Sequence, residues 1–384
     1  MANKILFCAT VDYHFKAFHL PYMEWLKNQG WQVDVAASGK IDLPYTDNKY
    51  DIPIRRSPFN KINLRAYQKL KNVIDKGDYS IIHCHTPMGG VLTRLAARDA
   101  RKQGAKVIYT AHGFHFCKGA PLISWLVYYP IEKYLSKVTD TLITINIEDY
   151  RFAQKHMSKA KKIEHVHGVG VDTERFKPIT ENNKSEMKKS FGYGPDDFLL
   201  FYAAEFNKNK NQQFLLESLA LIKDDVPNAH LVLAGEGQLL ERCRLLSSNL
   251  GISHMVTFLG FRNDIQQILP MCDIGVASSL REGLPVNIME AMSCALPVVA
   301  VDNRGHRELV QNNKNGWTVA SDDTKRFANK IKTLANVPDL KNKLGANGRE
   351  IILKRYSTRK VLIEKSRIYR IYMNREEVTE WATH

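Results

Sequence analysis

Two glutamates eight positions apart, Glu282 and Glu290, lie within Ser278-Ser279-Leu280-Arg281-Glu282-Gly283-Leu284-Pro285-Val286-Asn287-Ile288-Met289-Glu290-Ala291-Met292. An apolar, β-rich run, Asp273-Ile274-Gly275-Val276-Ala277, leads into this stretch, and Pro297-Val298-Val299-Ala300-Val301 follows it. Strand, loop, helix and strand make a βαβ unit, whose ligands sit at the carboxyl end of the strand. Gly283 and Pro285 shape the loop, and the helix is expected to start near Asn287. A helix start offers unpaired backbone N–H groups and partial positive charge, which suits a phosphate. With Glu282 in the loop and Glu290 about one turn into the helix, the carboxylates flank a bound anion and can hold hydroxyls on either side of it. That chemistry describes a polyhydroxylated phosphate ester, and a sugar nucleotide is the natural candidate.

The spacing also carries a resemblance. Glu282 to Glu290 resembles the Glu-(seven residues)-Glu signature of retaining family 4 glycosyltransferases. The resemblance implies that Glu282 faces the donor sugar and Glu290 holds the nucleotide ribose. Gly283, Leu284, Pro285, Val286 and Asn287 would then form the donor loop and helix start. It further implies the GT-B fold, two Rossmann-like α/β domains with doubly wound parallel sheets and a cleft between them. The match spans essentially the whole chain and is most specific from 230 to 310. The N-terminal Ile5–Thr10 and Asp12–Lys16 segments are similar to those of bacterial exopolysaccharide and capsule enzymes.

Donor binding is expected from three further places. Gly235-Glu236-Gly237 ends a strand and opens a helix, where glycine lets a ligand approach backbone; Leu240 stands where a dinucleotide fingerprint needs its third glycine. A plain tight turn is the competing reading. Gly260-Phe261-Arg262 resembles the family's base-binding loop. Positive charge is needed where the diphosphate departs. The family has an Arg followed five positions later by a Lys in this place, and here Lys210 matches the Lys while Glu205 replaces the Arg. Either Lys208 supplies the second charge, or Lys210 and the helix start near Asn287 hold the diphosphate together. The chain contains no Asp-x-Asp, the motif that commonly holds a divalent ion on a diphosphate, so no metal and no cofactor are expected there.

Acceptor-side groups are expected in the first half. Thr110-Ala111-His112-Gly113-Phe114-His115 ends an apolar strand. The resemblance gives His112 a hydrogen bond to the transferred sugar, and His115 lies nearby. His83-Cys84-His85 also ends a strand, with both imidazoles on one face. Without further spaced ligands a metal pair is not assigned, and His85 stays an acceptor-side candidate. Asp12 and His14 occupy the first loop, where many family members carry a Gly-Gly pair.

The elements that must position these residues alternate. Strand-like runs at Lys4–Val11, Gln32–Ala37, Ser80–His85, Lys106–Ala111, Thr141–Ile145 and Ile163–Val166 interleave with helical patterns. A second series runs Phe198–Ala204, His230–Ala234, Val256–Leu259, Ile274–Ala277, Pro297–Val301 and Trp317–Ala320. Between the series, residues 168–183 read as a linker. The expected domains are 1–178 and 184–355, with a last helix over about 358–384 crossing back to the first.

The 384 residues exceed one ordinary core. A hydrophobic content of 44% with 25% charged residues excludes a disordered chain, and no run reaches the roughly 18 apolar residues of a membrane span. Six scattered cysteines without Cys-x-x-Cys read as buried thiols in a reducing cytoplasm. The net charge of +15 is uneven, with 27 basic against 16 acidic residues up to position 180 and 28 against 24 beyond. A basic first half suggests an anionic partner. Lys61, Arg65, Lys69, Lys71 and Lys76 punctuate one helix, and Pro121–Pro130 is aromatic and apolar. Together they suggest an anionic membrane surface, the alternative being that both helices cover the sheet.

The expected function is retaining transfer of a sugar from a nucleoside diphosphate, UDP being the commoner base, to a polyprenyl-diphosphate-linked glycan in exopolysaccharide or capsule synthesis. The protein is expected to be cytoplasmic and peripheral at the inner membrane face, without a nucleic-acid partner. The alternatives are a nucleotide-sugar epimerase of the same fold and a non-catalytic polyanion binder.

Overall fold

A computed structural model describes residues 3–117 and 119–373. By internal contacts it divides into two units, one running to Gly170 and resuming at Thr358, the other spanning Val171–Ser357.

The first unit is built on seven parallel strands: β1 (Lys4–Val11), β2 (Gln32–Ser38), β3 (Asn48–Asp51), β4 (Ile81–His85), β5 (Lys106–Ala111), β6 (Thr141–Thr144) and β7 (Lys162–His165). Their order is β3-β2-β1-β4-β5-β6-β7, a doubly wound sheet with its switch point between β1 and β4. Side chains alternate across a strand, so Ile5, Phe7 and Ala9 join one core cluster while Leu6 and Cys8 join the other. Burial on both faces explains why these strands read as continuous apolar runs. Helix Thr358–Arg370 brings Val361, Ile368 and Tyr369 onto the Phe7 side. Tyr369 also bonds His83 Nδ1 at 2.7 Å. The remainder of the expected 358–384 helix, from 374 on, lies outside the described residues.

The second unit has six parallel strands: β8 (Phe198–Ala203), β9 (Ala229–Ala234), β10 (Val256–Gly260), β11 (Ile274–Ala277), β12 (Val298–Val301) and β13 (Gly316–Val319), ordered β10-β9-β8-β11-β12-β13. At the start of β11, buried Asp273 accepts from Lys184 (2.7 Å), Lys188 (2.9 Å), Lys341 (3.0 Å) and the Leu199 amide (2.9 Å). Burial alone would raise the pKa of this carboxyl, but three ammonium groups hold it well below the usual carboxylate range.

Three features depart from the sequence expectations. β3 (Asn-Lys-Tyr-Asp) is a polar edge strand whose composition hides it. The stretch read as a linker ends in helix Glu181–Ser190, capped by Thr180, whose hydroxyl accepts from the Asn183 amide at 3.4 Å. The first helical stretch is two helices, Tyr13–Phe18 and Leu20–Asn28, meeting at buried His19. No described helix is long and apolar enough to cross a membrane. All six cysteines are buried.

Candidate active site

In the second unit the candidate residues gather at the carboxyl ends of β8, β9, β10 and β11. The helix after β11 runs Val286–Ser293, starting one residue before Asn287, with Pro285 as its cap. Asn287 accepts from the Ile288 amide at 2.9 Å, and its Nδ2 donates to the Ala203 carbonyl at 3.0 Å, pinning the helix start to the end of β8.

Lys210 and Glu282 meet directly, Lys210 Nζ donating to Glu282 Oε1 at 2.5 Å. The loops carrying them are fastened to each other. Ser278 donates to the Lys210 carbonyl (2.7 Å), Asn209 Nδ2 to the Arg281 carbonyl (3.0 Å), and the Leu280 amide to the Asn209 carbonyl (2.8 Å). A third segment, Asn303-Arg304-Gly305-His306 after β12, closes on the same loop. Asn303 Nδ2 donates to the Ser279 carbonyl at 2.8 Å, and Arg304 Nε to the Glu282 carbonyl at 3.1 Å. A Cβ on Gly305 would lie 2.8 Å from Glu282 Cβ and 3.0 Å from the Gly283 carbonyl oxygen, so only glycine permits this approach. Sequence reading missed Ser278, Asn209 and this third segment. The signal was available, since Asp302-Asn303-Arg304-Gly305-His306 follows an apolar strand as Glu282 does.

Glu290 has a different environment. Burial pushes its carboxyl up to about 7, with Arg175 acting weakly in the opposite sense. A carboxyl of this kind donates or accepts near neutrality and suits a ligand hydroxyl.

Gly235, Phe261 and Arg262 line a 320 Å³ cavity together with Ala204, Glu205 and Glu236. Phe261 is 68% exposed, a free aromatic face for a stacking base. Arg262 is engaged by Asp264 through Nε at 2.8 Å and through a second, shorter contact. The glycines also have local tasks. At Gly235 (φ 141°) and Gly237 (φ 147°) a Cβ would collide with the Ala204 and Phe206 carbonyl oxygens, and Gly260 (φ 67°) passes its carbonyl to the Gly235 amide at 2.7 Å. The tight-turn reading therefore holds alongside any ligand contact. Lys208 is exposed on the same loop as Lys210.

In the first unit the strand ends carry imidazoles. β4 and the helix after it meet through Thr86, at φ 61°, whose hydroxyl accepts from the Thr10 amide at 3.0 Å and so ties the ends of β1 and β4 together. Around this junction His14 Nε2 lies 3.0 Å from His19 Nε2, and His85 Nδ1 lies 3.2 Å from His112 Nε2. The His19 and His85 rings are 4.2 Å apart, and those of His14 and His112 are 4.8 Å apart. His19 and His85 are buried, while His14 and His112 are half-buried. Burial lowers the pKa of each, to about 4 for His14, and the nearby Lys365 and neighbouring imidazoles add to the effect. Lys365 is itself buried, 3.9 Å over the Tyr22 ring, and burial lowers its ammonium to about 7 against the raising influence of Glu364. The cluster is thus a set of neutral nitrogens at physiological pH. His19 and Lys365 were not foreseen; neither sits at a strand end, where the sequence search looked.

Two acceptor-side expectations change. Asp12 is buried, ion-paired to Lys49 at 2.6 Å and accepting from the Ile41 amide at 2.8 Å, so its carboxylate is occupied in holding the first loop. His85 is fully buried rather than at an open edge. His115 is exposed, its ring edge-on to Tyr128 at 4.9 Å.

The expected membrane face is also redrawn. Leu70 and Ile74 are core residues, Lys69 donates to the Asp51 carbonyl at 2.7 Å, and Lys71 pairs with Asp75 and Asp99. That half of helix Ile62–Gly77 covers the sheet. Its start differs, with Lys61, Ile62, Leu64 and Arg65 exposed beside Phe59. Helix Leu122–Leu135 exposes Leu122, Ile123 and Leu126 while Trp125, Tyr128 and Tyr129 pack inward. A 570 Å³ apolar cavity lies among Phe59, Leu64, Tyr67, Leu92 and Tyr128, with Lys61 and Arg98 in its lining.

Known proteins share this arrangement. Residues 183–351 match the model described as glycosyl transferases group 1, and residues 4–146 match glycosyl transferase 4-like. The chain is 51% identical to the protein named EpsD in Bacillus subtilis (strain 168), over 97% of this chain and 98% of that one. It is 30% identical to the Escherichia coli UDP-Gal:alpha-D-GlcNAc-diphosphoundecaprenol alpha-1,3-galactosyltransferase, over 70% of each. The crystal structure of Anabaena Alr3699/HepE in complex with UDP and glucose superposes with a TM-score of 0.75 at 19% identity, covering 96% of this chain and 99% of that one. Two doubly wound sheets, a Glu282–Lys210 pair at the strand ends of the second, and a relative identical at half of all positions lead to one assignment: the chain belongs to the family 4 glycosyltransferases of the GT-B fold.

Proposed function

We propose that the chain moves a sugar, with retention, from a nucleoside diphosphate onto a lipid-linked glycan in exopolysaccharide or capsule assembly. The observation that carries this reading is the Lys210–Glu282 contact beside the start of helix Val286–Ser293. Lys210 is the cation for the departing diphosphate, with the helix start of Val286 and Asn287 as its partner and Lys208 as an auxiliary charge. Released from that pairing, Glu282 orients the transferred sugar, and Glu290 holds the ribose. The base sits on Phe261 in the 320 Å³ cavity. His112 bonds the sugar, and His14 and His115 face the acceptor. Glu205 does not replace the missing arginine, and the fixed charge of Lys210 with the helix dipole takes its task without a metal on the diphosphate. The acceptor hydroxyl attacks the face the diphosphate leaves, and the departing phosphate oxygen takes its proton.

UDP and a polyprenyl diphosphate are the proposed donor base and acceptor carrier. The E. coli relative is named for both chemistries, and the Anabaena protein was crystallised with UDP. For a carrier embedded in a bilayer, the exposed Leu122, Ile123, Leu126, Phe59 and Leu64 with Lys61 and Arg65 form the membrane-contacting face, on the cytoplasmic side. Family membership sets aside the polyanion binder. The epimerase is separated by experiment: UDP-sugars are incubated with and without a polyprenyl-diphosphate-linked sugar, and free UDP and lipid-linked product are measured. Acceptor-dependent release of UDP with extension of the lipid-linked sugar is expected. Inversion of the nucleotide sugar without release would overturn the proposal.

A further inference from the structure

His14 and His112, assigned above to acceptor and sugar, belong to a larger constellation in the first unit. His14, His19, His85 and His112 each present one ring nitrogen, and the four nitrogens lie within 4.8 Å of one another. They come from three separate places in the chain: helix Tyr13–Phe18 and the residue that ends it, the end of β4, and the residue after β5. From sequence, His83 and His85 lacked further spaced ligands. The fold removes that objection by changing the partners. His83 is occupied on both nitrogens, by Tyr369 (2.7 Å) and Thr110 (2.8 Å), whereas His85 turns to His19 and His112. His85 Nε2 is buried without a hydrogen-bond partner.

We infer that these four histidines form a binding site for a borderline divalent transition metal ion of the zinc class. Zinc–imidazole bonds are about 2.0–2.1 Å, which places the nitrogens of a tetrahedral site about 3.3–3.4 Å apart. The two pairs here stand at 3.0 and 3.2 Å, so small ring rotations complete the set. An all-nitrogen donor set selects zinc, cobalt, nickel or copper over magnesium and calcium, which need oxygen. Half-buried His14 and His112 leave a path for the ion to enter. No carboxylate joins the cluster, so the bound ion keeps its double positive charge, and Lys365 nearby opposes it. The ion is not assigned to the diphosphate, for which Lys210 is the proposed cation. Metal on His112 Nε2 fixes that ring's proton on Nδ1 and makes it a hydrogen-bond donor.

The test uses the full chain without an affinity tag, stripped with chelator and titrated with Co²⁺. The expected result is one equivalent bound per chain, with the visible absorption of four-coordinate cobalt, displaced stoichiometrically by Zn²⁺. His19→Gln and His85→Gln should each weaken binding by more than about 100-fold, while His156→Gln leaves it unchanged. Lys365→Met should tighten it. Circular dichroism and melting of each variant establish folding, and if His19→Gln fails to fold, the stoichiometry and spectrum of the unaltered chain decide. Substoichiometric uptake, an octahedral cobalt spectrum, or binding that survives both histidine substitutions overturns the inference. So does stabilisation by inorganic phosphate in place of Co²⁺, because it makes the cluster an anion site.

Discussion

The two units share a doubly wound parallel sheet and place their polar residues at the carboxyl ends of the strands, yet they handle charge in opposite ways. The second unit uses full charges held in balance. Lys210 faces Glu282 at one end of the sheet, and Asp273 faces three lysines at the other. The first unit gathers neutral imidazoles and a single depressed ammonium, with no carboxylate in the cluster. A paired charge can be exchanged for a ligand's charge at small cost, as the proposed diphosphate contact would require of Lys210. A neutral nitrogen cluster is silent until something with its own charge arrives. On the proposed reading, the same fold offers a ligand place in each unit, and the strand-end residues decide what kind.

The largest expected effect breaks the balanced pair. Glu282→Gln and Lys210→Met should each lower kcat by about 10²–10³, the range for removing one preorganised stabilising group. The double variant should cost much less than the product of the two, because each single change leaves the other partner unneutralised. Steady-state UDP release reads both. Full additivity would mean that the 2.5 Å contact has no part in turnover. His112→Ala tests the neutral side, with a loss of about 10² expected, at the low end for a positioned proton-bearing group. In the unaltered chain the rate should show no titration of this imidazole between about pH 6 and pH 8, because burial keeps it uncharged throughout that range.

Most of the architecture was legible because both sheets are buried on both faces, so twelve apolar strands stood out from the helices between them. All twelve, from Lys4–Val11 to Trp317–Ala320, fall within a residue of their observed limits at each end. What failed did so for local reasons. β3 is a polar edge strand with no period to read, and helix Glu181–Ser190 is too polar to look unlike a linker. In the site, Glu282, Glu290 and Lys210 were visible from the motif, but their mutual contact was not. It depends on Ser278, Asn209 and Gly305 closing three loops onto one another. The histidine cluster was invisible for a different reason: its members are up to 98 positions apart in sequence, and only the order of β1, β4 and β5 brings them together.

Glu290 sharpens the comparison because it is an acid that the second unit leaves without a close partner. Its carboxyl stands near 7 in the folded chain against an ordinary 4.5. Below about pH 4.5 it is protonated in both states and costs nothing. Between about pH 4.5 and pH 7 the unfolded chain has released its proton while the folded chain still holds it, so the folded state is progressively disfavoured over that range and the penalty levels off above it. Glu290→Gln should leave stability unchanged near pH 4 and raise it by about 1–2 kcal/mol near pH 8, a figure reduced from the full shift because the group is partly exposed. Denaturant unfolding at the two pH values checks this. The same variant should weaken UDP-sugar binding, and a variant that gains stability without losing affinity would remove Glu290 from the ribose.

The smallest effects concern the surface where the first unit's basic excess meets its exposed apolar side chains. Lys61 and Arg65 are exposed, but Lys69 and Lys71 are tied to Asp51, Asp75 and Asp99. Substituting exposed cations should therefore matter and substituting tethered ones should not. Lys61→Gln and Arg65→Gln should each weaken binding to vesicles containing anionic lipid by about fivefold, corresponding to about 1 kcal/mol per cation near the surface. Lys71→Gln should change it little. Leu122→Ser and Leu126→Ser should weaken binding to neutral and anionic vesicles alike, because they remove apolar contact rather than charge. Flotation at two salt concentrations separates the contributions: the cationic variants lose their effect at high salt, where surface attraction is screened, and the leucine variants keep theirs. Equal responses from Lys61 and Lys71 would show that the charge of the whole helix acts, and that its exposed start has no special place in membrane contact.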